Sequence, residues 1–133
     1  MPQLGLPVKL LVVDGAAPLR RRIVSAIAKI ETVEVVGNVR HVREAVEEIR
    51  RLRPDVVILD VRLPGGSGIM MLETIKQESP STIVMMFTDH LVSQYRDRCA
   101  RAGSDYFFEH NVDFSRMVRV LTQLADDSTT KTA

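Results

Sequence analysis

Pro54-Asp55-Val56-Val57-Ile58-Leu59-Asp60 is apolar at every position between its two acids and closes on a carboxylate. A strand with one wet face alternates, whereas an unbroken apolar run is expected of a strand in a parallel sheet covered by helices on both sides. An earlier run, Leu10-Leu11-Val12-Val13-Asp14, has the same form, and its acid is followed by Gly15. Two such strands bring two carboxylates to one edge of a sheet, where phosphate and metal chemistry is commonly built.

Working outward, β-branched apolar runs at residues 8–13, 33–37, 55–59, 82–87 and 105–108 alternate with segments of helical periodicity. Residues 18–30 place Leu19, Ile23, Val24, Ile27, Ala28 and Ile30 three and four apart, with Arg20, Arg21, Arg22 and Lys29 mainly on the other side. Residues 41–52 repeat the pattern with Val42, Ala45, Val46, Ile49 and Leu52 before Pro54. Further helices are expected over 68–78, 91–102 and 112–124, with Gly103 stopping the fourth. The fold class is therefore α/β, a flavodoxin-like doubly wound (βα)5 three-layer sandwich with parallel strand order 2-1-3-4-5.

A chain of 133 residues, 45% hydrophobic and 26% charged, carries enough apolar material for one core. Residues 1–125 are expected to form that domain and 126–133 a flexible, solvated tail. The net charge of +1 argues against a general polyanion binder, so no nucleic-acid partner is expected, and the arginine clusters at 20–22 and 50–53 read as solvated helix faces. Cys99 is the only cysteine, which leaves no disulfide or cysteine-based zinc site and suits a reducing compartment; it reads as a small half-buried residue. No apolar stretch approaches a membrane span, no signal peptide opens the chain, and the expected address is cytoplasmic.

In this topology Asp14 and Asp60 are neighbours, joined by Thr88 after the fourth strand and His110 after the fifth. Paired carboxylates suit Mg²⁺, which takes one or two protein carboxylates and otherwise water and phosphate oxygens. Asp60 is the better nucleophile toward a phosphoryl group, because it precedes the loop Val61-Arg62-Leu63-Pro64-Gly65-Gly66-Ser67-Gly68. Thr88 is placed to donate a hydroxyl to a phosphoryl oxygen.

These residues resemble the receiver domain of two-component response regulators. The resemblance runs from Leu10 to Leu124. It rests on Pro54 to Asp60 followed by Leu63-Pro64 and Gly68, and on Ala102-Gly103-Ser104-Asp105-Tyr106-Phe107-Phe108-Glu109-His110. It implies that Asp60 is the phosphoacceptor, that the carbonyl of Arg62 is a metal ligand beside Asp14 and Asp60, and that Thr88 is the switch hydroxyl. Phe107 takes the position of the aromatic switch residue. The implied partners are a histidine kinase or phosphotransfer protein and a downstream protein met through helix 4, strand 5 and helix 5. Arg96, Arg101 and Arg116 are candidate contacts there.

Three positions depart from the family pattern. Gly15 replaces the second acid after the first strand, so Mg²⁺ is expected to bind weakly or not at all. His110 stands at the position of the family lysine, with a shorter side chain that is not a permanent cation. Asp89 follows Thr88 where a very small residue is usual, and its charge opposes an anionic donor. The expected function is a stand-alone receiver acting as a phosphorelay switch or adaptor, non-enzymatic apart from phosphorylation and dephosphorylation at Asp60. A degenerate receiver that binds partners without phosphate is the alternative.

Two rivals have weaker support. A transition-metal site using His90 and His110 lacks HxH or HxxxH spacing. An aspartate-nucleophile phosphatase would carry its general acid two residues after Asp60, where Arg62 stands. Met70-Met71 and Met85-Met86 read as core fillers. Phe107 and Phe108 are expected on opposite faces of their strand. The kinase, the target and the oligomeric state are not written in these patterns.

Overall fold

The computed structural model describes residues 6–88 and 93–130. In chain order the elements are β1 (Val8–Val13), α1 (Ala17–Ile27), β2 (Val33–Val39), α2 (Val42–Leu52), β3 (Val56–Leu59), β4 (Arg62–Leu63), β5 (Gly66–Ser67), α3 (Gly68–Glu78), β6 (Ile83–Thr88), α4 (Ser93–Arg101), β7 (Tyr106–Glu109) and α5 (His110–Thr130). Five strands form one parallel sheet in the order β2-β1-β3-β6-β7, while β4 and β5 form a separate antiparallel hairpin. Setting that hairpin aside, the order is the expected 2-1-3-4-5.

Alternate side chains of the filled strands supply two cores. Leu11, Val13, Val57, Leu59, Val84 and Met86 pack under α2, α3 and α4 with Ala45, Leu72, Ile75 and Cys99. Leu10, Val12, Ile58, Met85 and Phe87 pack under α1 and α5 with Ile23, Ile27, Met117 and Leu121. Both faces are dry, which is why the strands read as continuous apolar runs. Phe107 and Phe108 divide between the two cores as expected.

Several local expectations are corrected. Cys99 is fully buried, because α4 packs its cysteine face onto the sheet. Met71 is core, but Met70 is 67% exposed at the start of α3. Of the arginines read as solvated, Arg20 is half-buried and donates to the Asp14 carbonyl at 2.7 Å, while Arg22 is exposed as expected with its guanidinium 3.8 Å from the centre of the Phe114 ring. The α5 helix opens at His110 and runs past Asp126 and Asp127 to Thr130. Among the described residues no helix is long and apolar enough to cross a membrane. The start of the fourth helix at Leu91 lies outside the described residues.

Candidate functional site

The two strand-terminal acids are brought together by register. Val13 pairs with Leu59, Leu59 pairs with Met86 on its other side, and the Asp60 N–H donates to the Val13 carbonyl at 3.1 Å. Asp14 continues β1, its N–H donating to Val39 at 3.0 Å, and it is 1% exposed. Its Oδ1 accepts the Ala16 N–H at 2.8 Å. Ala16 has no side chain with which to cap α1, and the Asp14 carboxylate turns the chain into the helix by accepting the Ala16 N–H two residues on. Arg20 on the first turns of α1 adds a positive charge at the Asp14 carbonyl.

Beyond Asp60 the chain turns through the β4–β5 hairpin, with Arg62 opposite Ser67 and Leu63 opposite Gly66. Pro64-Gly65 forms its tip; the φ of +85° at Gly65 is the left-handed conformation that a type II turn requires after proline. The hairpin is docked on both sides. The Val42 N–H at the start of α2 donates to the Pro64 carbonyl at 3.1 Å, and the His41 ring covers Gly65. On the other side the Pro64 ring reaches Gly15, where an added Cβ would lie 2.9 Å from its Cδ. Ser67 caps α3, accepting from Ile69 at 3.2 Å, and Gly68 packs directly on the Asp60 carbonyl. The Arg62 side chain is exposed and donates to the Tyr95 hydroxyl of α4 at 3.4 Å.

Thr88 ends β6 fully buried, one residue beyond the row that holds Asp14 and Asp60. The residue in register with it on β7 is Glu109, and His110 opens α5. The His110 ring meets the buried Phe87 edge-on with centroids 5.9 Å apart. Glu109, 3% exposed, accepts from the Asn111 and Val112 N–H groups at 3.3 and 2.9 Å, while its own N–H donates to Asp113 at 2.9 Å. This reciprocal cap satisfies the start of α5. Phe107 is 8% exposed beneath Arg96, whose guanidinium is 4.7 Å from the ring centre. Asp89 and His90 lie outside the described residues.

Asp14, Asp60 and Thr88 thus share one sheet edge. Glu109, Arg20 and Tyr95 were missed in the sequence. For Glu109 a signal existed: an acid just ahead of a helical pattern can accept from the N–H groups of the first turn. A divalent cation at this edge would draw on Asp14, Asp60 and the Arg62 carbonyl. Position 15 contributes no side-chain ligand and Asp14 Oδ1 accepts the Ala16 N–H, while Asp14 Oδ2 and Asp60 Oδ1 are buried at the same edge. Two carboxylates thus stand at this edge where the resemblance implies three.

A model of the response regulator receiver domain family matches residues 10–122. The chain is 38% identical over 125 residues to the protein-glutamate methylesterase/protein-glutamine glutaminase of Alkalilimnicola ehrlichii, covering 91% of this chain and 32% of that protein. A protein of the same description from Geobacillus kaustophilus is 42% identical over 79 residues, 59% of this chain and 23% of the relative. The chain therefore spans a third or less of the length of these two relatives. Among solved structures, the response regulator domain of Thermotoga maritima CheB has a TM-score of 0.76 at 25% identity, covering 93% of this chain and 97% of that one. The signal receiver domain of NarL from Mycobacterium tuberculosis gives 0.80 at 25% identity, with coverages of 91% and 98%.

Proposed function

The chain belongs to the response regulator receiver domain family, and from that premise we propose that it is a phosphorelay switch with Asp60 as phosphoacceptor. A carboxylate oxygen of Asp60 attacks phosphorus in a phosphohistidine of a histidine kinase or phosphotransfer protein; the P–N bond breaks and an acyl phosphate forms. The observation that supports this reading is the row Val13, Leu59, Met86, which sets Asp60 beside Asp14 at the switch point of the sheet with Thr88 just beyond. Thr88 then donates its hydroxyl to the phosphoryl group. The new charge shifts the packing of α4, β7 and α5, where Phe107 sits beneath Arg96. Output passes to a downstream protein through that surface, as an adaptor does, without turnover of a separate substrate. The proposed setting is the cytoplasm, where histidine kinases phosphorylate receivers.

One observation favours a second reading, a receiver that works without phosphate. The family's lysine position is held by His110 at the start of α5, and its neighbour Glu109, in register with Thr88, commits its carboxylate to the Asn111 and Val112 N–H groups, so this strand end supplies no permanent cation for a phosphoryl group. Incubation with a small phosphodonor, with and without Mg²⁺, followed by intact-mass measurement separates the two. A gain of one phosphoryl group that is lost in Asp60→Ala supports the acceptor. No gain under conditions that modify a control receiver refutes it and leaves the phosphate-independent module.

A further inference from the structure

We propose that the groove between α3 and α4 is a docking surface for an acidic segment of a partner protein, which seats an apolar side chain beside Met70. The two helices lie on one face of the sheet, and about 310 Å³ opens between them, lined by Ile69, Met70 and Glu73 of α3 and by Arg98, Arg101 and Ala102 of α4. This flank of α4 is not the one turned to β7. Residues two apart on a helix point about 200° away from each other, so Arg96 covers the Phe107 ring while Arg98 turns toward α3. Ile69 is buried and Ala102 half-buried, which makes the floor apolar. Met70 rises from it 67% exposed. Its backbone is fixed on both sides: the N–H donates to Ser67 Oγ at 3.4 Å and the carbonyl accepts from Thr74 Oγ1 at 3.1 Å. The exposed thioether is therefore presented by an ordered turn, and its unbranched, polarizable chain can repack around an incoming apolar group.

Charge decides what kind of segment fits. Among the described residues neither Arg98 nor Arg101 makes an ion pair or a side-chain hydrogen bond, whereas Arg50, Arg51 and Arg116 are each matched to an acid. Both lie in the last turn of α4, whose C-terminal dipole suits cations but leaves their guanidinium donors open to a partner. Glu73 is the acid in the lining, and Lys76 farther along α3 is already paired with Asp105 at 2.7 Å. The lining is thus positive on a chain whose net charge is only +1, so carboxylates on the partner are attracted and a basic segment is repelled.

The inference goes beyond the reading of Asp60 as acceptor, and its test involves no phosphodonor. A displayed library of random peptides is selected on the full chain and counter-selected on the double variant Arg98→Glu, Arg101→Glu. Recovered peptides are synthesised and their affinities read by fluorescence anisotropy. They are expected to carry net negative charge and a large apolar residue. Binding should weaken about tenfold in the double variant and by a similar factor in Met70→Ser, fall with added salt, and stay unchanged in Arg116→Glu on α5. All of these positions are exposed, so the variants are expected to fold, which circular dichroism checks. Amide shifts of the wild type give a readout free of any substitution and are expected at residues 69–73 and 98–102. Failure to recover any peptide that distinguishes wild type from the double variant would overturn the proposal. So would neutral or basic peptides, peptides indifferent to Met70→Ser, or shifts centred on β7 and α5. Concentration-dependent shifts of the same amides without peptide would make a second copy the occupant and equally overturn it.

Discussion

The Arg62 guanidinium donates to the Tyr95 hydroxyl at 3.4 Å, which ties the residue two places after Asp60 to α4. The bond is long and exposed, so it is worth about 0.5 kcal/mol or less. Tyr95→Phe is expected to leave thermal melting nearly unchanged while raising amide exchange across α4, since weak exposed contacts govern local opening before global stability. Exchange rates identical to wild type would show that α4 does not depend on this contact.

Gly68 is a stability prediction of the opposite size. A methyl group there would fall on the Asp60 carbonyl, part of the backbone that aims the acceptor. Gly68→Ala is expected to cost about 3 kcal/mol in urea unfolding, through a steric conflict with no flexible partner to absorb it.

Asp105 stands ahead of β7 and accepts the Val84 N–H at 2.8 Å and the Lys76 ammonium at 2.7 Å. Val84 is fully buried, so Asp105→Ala leaves a buried donor unmet and is expected to cost about 2 kcal/mol. Lys76→Met removes an ammonium that is 18% exposed and also donates to the Thr82 carbonyl at 2.6 Å, and should cost less because a carbonyl tolerates a lost donor better than a buried N–H tolerates a lost acceptor. Equal losses in the two variants would refute the assignment of the larger share to the backbone bond.

Burial pushes the Cys99 thiol up from 9.0 to about 11, with Arg98 opposing weakly. The folded state thus holds its proton more tightly than the unfolded chain. The corresponding stability is complete below the unfolded value and declines as pH rises from there toward 11. Denaturation midpoints are expected to fall with alkaline pH, less so in Cys99→Ala. The native thiol should also resist an aromatic disulfide reagent at neutral pH until the protein unfolds.

The ion pairs Arg50–Glu78 at 2.8 Å and Arg51–Glu48 at 2.7 Å hold both carboxyls below their usual range, chiefly through the hydrogen bond from each arginine. Their stabilisation is present at neutral pH and is lost as acid protonates the carboxylates. Both pairs face solvent, so Arg50→Ala and Arg51→Ala are expected to melt within error of wild type at physiological salt.

The filled runs at Leu10–Val13 and Val56–Leu59 made the sheet legible, because burial on both faces leaves an unmistakable pattern. The neighbouring of Asp14 and Asp60 followed from strand order alone. The β4–β5 hairpin was not legible: Arg62-Leu63 and Gly66-Ser67 are too short for periodicity and depend on docking against His41 and Val42. The roles of Arg20 and Glu109 depend on where a side chain ends, which residue spacing does not encode. Cys99 was underestimated because the α4 sequence is mostly polar and only its packing shows which face is covered.

The sheet has two outer strands, and they differ in kind. In β2 the pairing with β1 steps from Leu10–Val35 to Leu11–Gly37, so Val36 is an extra, bulged residue. A bulge bends its strand and spoils the regular row of N–H and C=O groups that another chain could extend. The opposite margin, β7, offers only four residues. Neither border is a long flat template, so stacking of copies border to border into fibres is disfavoured, and any self-association must be sought among the helices.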